Sequence, residues 1–324
     1  MKGNWMMWSM FFWIMMIFMI MTNNIILKWF MAETCTIVMI FILAKHDNPV
    51  ASTFYYMISG ASMITFLLMM LMKCGMIGLS NPFEILFQIL MFMKLAIYPF
   101  STWLICSVEF MAWHQIFFMS TFMKVIPIIL FKEMEFSVEL IYYLVLANLA
   151  LSVESIKYVS MKKIFACSSI SQNFVFLVLA YCDKSLFLWY FLVYTILTFW
   201  IMKVLEDNYI YSKSDLNKLS ESQSLIYTIL IITYSFLPPM MMFMLKWTLM
   251  FNTLFDYSDY LWMIMYLYTL SNVVMIWNYF NLMKTPDLTG KKSTPKPLKY
   301  KMYLLPLIAS IAFMAVSGIY MSMY

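Results

Sequence analysis

The chain has 324 residues, of which 64% are hydrophobic and only 11% charged, with a mean hydropathy of +0.82 and a formal net charge of +5. Apolar runs near twenty residues recur along it, which excludes an ordinary soluble domain and gives an all-α polytopic membrane protein. Five scattered cysteines, two histidines and six glycines leave no metal-ligand spacing, disulfide framework, Gly-rich phosphate loop or nucleic-acid-binding signature.

In chain order, the apolar run Met6 to Met21 has no polar cleavage site after it and reads as a retained span. Dividing the chain at its polar and Gly/Pro clusters gives eleven spans: roughly 5–22, 25–44, 51–72, 82–105, 111–131, 137–156, 161–181, 186–204, 222–252, 259–282 and 302–323. They are expected to form one transmembrane domain over 1–324, with polar loops at 203–221 and 284–301. The N-terminal end and the even-numbered loops hold fourteen of the 21 lysines, whereas the odd loops hold only Lys73, Lys132 and Lys184. Short lysine-rich loops stay on the side of synthesis. The N-terminus is therefore expected on the cytoplasmic or matrix side and the C-terminus opposite, and the 284–301 loop reads as a topogenic segment touching anionic lipid headgroups.

Ionisable groups also fall inside the spans. Glu33 lies near the middle of span two in "KWFMAETCTIVMIF". Lys94 is mid-span in "MKLAIYPF", five residues before Pro99, and Lys124 precedes Pro127 in "STFMKVIPIIL". Residues 222–255 carry no charge except Lys246 and would extend about 50 Å as one helix, against a hydrocarbon core of about 30 Å. Pro238 and Pro239 supply a break there, as Pro99 does in span four. Spans four and nine (82–105 and 222–252) are five apart, an odd offset, so they cross in opposite directions, as an inverted repeat with two discontinuous helices would. Intramembrane charge is costly and usually lines a polar path; the competing reading is a structural ion pair or snorkelling, which is preferred for Lys28. Burial and a neighbouring carboxylate act oppositely on a lysine's proton affinity, so such a set is suited to moving protons. His46, His114 and the cysteines read as surface or packing residues, Ser168 and Ser169 as helix-packing groups, and most aromatics as packing or interface anchors. The lysine-only, methionine-rich composition fits a mitochondrial genome poor in G and C.

The stretch "MKLAIYPFSTWLICSVEFMAWHQIFFMSTFMKVIPIIL" resembles the K-x-G-x-x-P-F-H-x-W... W-Q-K-x-A-P region of the subunit 2 family of mitochondrial NADH-ubiquinone oxidoreductase, respiratory complex I. "KKIFACSSI" is similar to its R-K-x-x-A-Y-S-S-I, "LPPMMMFMLKW" to its G-L-P-P-x-x-G-F-x-x-K-W, and "FMAETCTIVMIFIL" to its G-L-E-x-N segment. The resemblance implies an antiporter-like proton-pumping subunit in the mitochondrial inner membrane. Glu33 and Lys94 would be the carboxylate–lysine pair, Lys124 the central lysine and Lys246 the lysine of the second broken helix. It also implies no catalytic, cofactor-binding or metal-binding residue in this chain, with NADH, FMN, iron–sulfur clusters and ubiquinone held by other subunits, and with membrane-arm subunits, lipids and protons as partners. Departures from the family pattern are Ser101 and Gln172 for histidine, Phe122 and Met123 for W-Q, and Met242 for glycine. The alternatives are a free-standing cation/proton antiporter and a non-conducting structural subunit.

Overall fold

The computed structural model describes residues 4–44, 49–74, 80–132, 138–182, 184–235, 246 and 261–282. These are helical apart from short links and one isolated bridge between Ser160 and Ser212. The helices are α1 (Asn4–Met21), α2 (Ile25–Ala44), α3 (Val50–Cys74), α4 (Ser80–Lys94), α5 (Thr102–Ser107), α6 (Trp113–Ser120), α7 (Phe122–Phe131), α8 (Val138–Ser155), α9 (Met161–Cys182), α10 (Lys184–Asp207), α11 (Glu221–Tyr234) and α12 (Leu261–Leu282), with 3-10 turns at Val108–Phe110 and Lys213–Lys218. Each of the first eight expected spans has its helix or helix pair, α11 opens the ninth and α12 is the tenth. The eleventh, at 302–323, and the loop at 284–301 lie outside the described residues.

Among the described residues, five stretches are long and apolar enough to cross a membrane: Ile25–Ala44, Val50–Leu71, Trp113–Phe131, Met161–Tyr181 and Ser185–Asp207. They differ in what surrounds them. Trp113–Phe131 is 94% buried and Met161–Tyr181 89%, against 28% for Ile25–Ala44. Spans five and seven are thus the interior, and all ten residues of α7 are buried with α1, α2, α4, α6 and α9 packed around it. The outer helices turn apolar side chains such as Ile14, Phe30, Phe41 and Met57 outward, the arrangement a hydrocarbon solvent favours.

Alternating crossings require the even-numbered links to meet on one side of the bundle and the odd-numbered on the other. Side chains join them accordingly. On the even side, Gln115 Nε2 donates to Ile42 O at 2.8 Å, Trp113 Nε1 to Ile210 O at 3.1 Å, and Lys163 pairs with Glu109 at 2.7 Å. The turn at Lys213–Lys218 is fixed by Asp215, whose carboxylate accepts from Lys218 and from Ser212; these bonds hold its carboxyl well below the usual range. On the odd side, Lys132 Nζ donates to Ala180 O at 2.5 Å and Tyr181 OH to Phe131 O at 2.6 Å, so α7 and α9 cap each other's last turns.

Candidate functional site: buried lysines at interrupted helices

The expected break in span four is present, but the helix stops before the proline. α4 ends at Lys94. Pro99 has no N–H for the carbonyl of Leu95 and its ring would clash with it, so the helix cannot be carried through this turn. Ile97 N donates to Phe92 O at 2.9 Å and Ala96 N to Met93 O at 3.1 Å, with Ala96 left-handed at φ 55. This is the Schellman pattern, which prefers glycine at the left-handed residue. Ala96 falls on the glycine of the family's K-x-G-x-x-P, and its side chain bears a strain of about 1–2 kcal/mol. Three carbonyls in and beside the opened segment are met by side chains: Met93 O by Trp103 Nε1 (2.8 Å), Leu95 O by Asn173 Nδ2 (2.7 Å) and Tyr98 O by Tyr143 OH (2.7 Å). Backbone polar groups at membrane depth need such partners.

Lys94 is 6% exposed, sits at the negative end of the α4 dipole, and its ammonium makes no hydrogen bond among the described residues. Glu33, half-buried on α2, and Cys35 lie within electrostatic range of it. Thr36 Oγ1 donates to Glu33 Oε2 at 3.2 Å. Tyr55 of α3, fully buried, is also in range of Glu33 and donates to Met123 Sδ at 3.0 Å. Met123, which stands at the family's glutamine, thereby retains an acceptor, though a weak one. Neither Tyr55 nor Thr36 was visible as a site residue in the sequence, because each reads there as an ordinary span residue.

Span five, expected as one helix over 111–131, is also interrupted. α6 ends at Ser120 and α7 begins at Phe122, with Thr121 between them at φ −112, ψ −87. No proline causes it, and α7 runs on through Pro127. Thr121 Oγ1 donates to Phe117 O at 2.7 Å, a back-bond that bends helices. Lys124 follows one turn later, 3% exposed, with no hydrogen bond to its ammonium among the described residues and Cys167 of α9 in electrostatic range. Unpaired buried charge costs several kcal/mol. Leucine or methionine would pack Lys94 and Lys124 positions without that cost.

In span nine, α11 ends at Tyr234, and Lys246 is again helical, 4% exposed, with its ammonium 3.4 Å from Asn272 Oδ1 of α12. Pro238, Pro239 and Met242 lie outside the described residues. The other departures from the family pattern have definite surroundings. Ser101 Oγ is buried without a hydrogen-bond partner among the described residues, Phe122 stacks on Phe12, and Gln172 accepts from Tyr190 OH at 2.6 Å. Cys35 and Cys167 are buried free thiols, whereas Cys106, expected to pack, is exposed. Among the described residues no group of three or more metal-ligating side chains occurs.

No family model matches the sequence. The fold is similar to a chain of respiratory complex I from Thermus thermophilus with bound aureothin (TM-score 0.76, 16% identity, 91% of this chain and 73% of that one). It is also similar to a chain of the membrane-bound sulfane sulfur reductase, an archaeal respiratory membrane complex (TM-score 0.74, 16% identity, 93% and 70%), and to one of the Mrp complex from Dietzia sp. DQ12-45-1b (TM-score 0.67, 12% identity, 86% and 63%). The chain shares its fold with chains of these membrane complexes. At the level of sequence, NADH-ubiquinone oxidoreductase chain 2 of Apis mellifera ligustica is 30% identical over 292 residues, covering 86% of this chain and 84% of that protein. The chain belongs to the NADH-ubiquinone oxidoreductase chain 2 family.

Proposed function

We propose that this chain is a core membrane-arm subunit of respiratory complex I that moves protons across the mitochondrial inner membrane, driven by electron transfer from NADH to ubiquinone in other subunits. The observation that carries the reading is the set of three buried lysines in a chain of this family, Lys94 and Lys124 each beside a helix interruption and Lys246 in contact with Asn272 of α12. Glu33 and Lys94 receive the energy input as a change in their mutual interaction, Lys124 passes the proton through the middle, and Lys246 delivers it toward the far side. The family membership supports membrane-arm subunits as partners, with FMN, iron–sulfur clusters and quinone chemistry in those other chains. The lysine asymmetry supports a matrix-side N-terminus and an intermembrane-space C-terminus.

Two measurements test this. In native electrophoresis of gently solubilised inner membranes the chain is expected to co-migrate with a large NADH-oxidising band; migration alone as a small species would sink the subunit assignment and favour a free-standing antiporter. Within the assembled complex, Lys124→Met is expected to lower the proton yield per NADH. An unchanged yield would remove Lys124 from the path.

A further inference from the structure

A cavity lies between the opened turn after α4 and the helices α8 and α9. Its walls are largely apolar, with Leu144, Leu151 and Phe174 among them, and Asn148 of α8 and Ser171 and Asn173 of α9 contribute polar side chains. It has room for about one water-sized body. Among the described residues neither a carboxylate nor a lysine lines it. Asn173 is 1% exposed and Asn148 6%. The side-chain oxygens of both, Asn173 Oδ1 and Asn148 Oδ1, are buried without a hydrogen-bond partner among the described residues.

What their nitrogens meet fixes the orientation of both amides. Asn173 Nδ2 donates to Leu95 O at 2.7 Å, and a carbonyl only accepts, so the amino group must face it. Asn148 Nδ2 is 3.1 Å from Ser271 Oγ of α12, whose own hydrogen goes to Tyr268 O at 2.7 Å, so this serine accepts from the amide. Neither amide can be turned over without losing that bond. The Ser171 hydroxyl donates to Ser168 O at 2.7 Å and has no second hydrogen to offer. Asn148 and Asn173 thus bring to one small cavity two oxygens that need a donor. Leaving both unpaired at membrane depth is unfavourable, and helix packing accounts for their amino groups alone.

We propose that this cavity is a binding site for a single ordered water molecule, which donates one hydrogen to Asn173 Oδ1 and the other to Asn148 Oδ1. Water supplies two donors for the two acceptors, and internal waters are held by about two to four polar partners. A monovalent cation is also drawn to acceptors, but with no carboxylate beside it its charge is left uncompensated in an apolar surround. The water closes a chain of hydrogen bonds from Leu95 O through Asn173, Asn148 and Ser271 to Tyr268 O. It thereby fastens the break that follows Lys94 to α12, the helix whose Asn272 contacts Lys246. The site holds whether or not those lysines conduct protons.

The test is a density map, at a resolution that shows ordered water, of the assembled membrane complex that contains this chain, prepared once in potassium salt and once in thallium salt. One peak is expected about 2.8 Å from both oxygens, equally strong in the two maps. No peak between the oxygens means a dry cavity and overturns the proposal. A peak that strengthens in thallium identifies a cation and overturns it as well. In a third map, of Asn148→Leu, the peak is expected to be lost; a peak that persists there removes Asn148 as its ligand and overturns the bridge. The unsubstituted maps decide even if that variant fails to assemble. None of these readouts measures proton yield, so the water site can fail while the lysine path stands, and the reverse.

Discussion

The interruptions of spans four and five place a buried lysine in two different ways. After Lys94 the backbone is opened from Leu95 to Ser101, and the carbonyls of Met93, Leu95 and Tyr98 accept from side chains of three other segments. At Thr121 only one residue leaves the helical path, and Lys124 N still bonds Thr121 O at 3.2 Å. In the open case no following helix begins at the negative end of α4, which lies beside the ammonium of Lys94. In the tight case the negative end of α6 abuts the positive end of α7, and the field near Lys124 is mixed. The comparison teaches that a wide break creates a local electrostatic site dependent on its neighbours, whereas a narrow one bends a helix at little expense to its surroundings.

That contrast orders the expected effects of substitution. Asn173→Leu, which removes the side-chain donor to the buried Leu95 O, is expected to destabilise by about 1–3 kcal/mol, read as a lower thermal midpoint of the extracted complex; an unchanged midpoint would mean that the open break does not lean on α9. Ala96→Gly is expected to act in the opposite direction, stabilising by about 1 kcal/mol through relief of the left-handed alanine. Destabilisation there would show that the methyl group's packing outweighs the backbone strain. Smallest is Thr121→Val, where Phe117 O keeps the Thr121 N–H and loses only the hydroxyl, for about 0.5 kcal/mol. A loss as large as that of Asn173→Leu would erase the distinction between the two breaks.

The spans were legible because hydrocarbon imposes length and apolarity locally, and the alternation of sides because lysines mark one face of the membrane. Pro99 signalled a break, and the helix stops upstream of it because a proline disturbs the turn that precedes it. Thr121 gave no such signal: threonine occurs throughout the spans, and only its back-bond and the packing around α7 distinguish it. Glu33, Lys94, Lys124 and Lys246 stood out as charges in apolar sequence. Tyr55, Asn148, Asn173 and Asn272 did not, since an aromatic or amide in a span gains meaning only from what other helices bring beside it.

Gln115 takes part in three bonds at once: its Oε1 accepts from Ala112 N at the start of α6, and its Nε2 donates to Ile42 O and Leu43 O at the end of α2. Mechanically, this side chain is a rivet between the helix bearing Glu33 and the helical pair bearing Lys124. The two bonds tie the end of the helix that carries Glu33 to the start of the helical pair that carries Lys124, so the spacing of these two elements is set by one amide side chain.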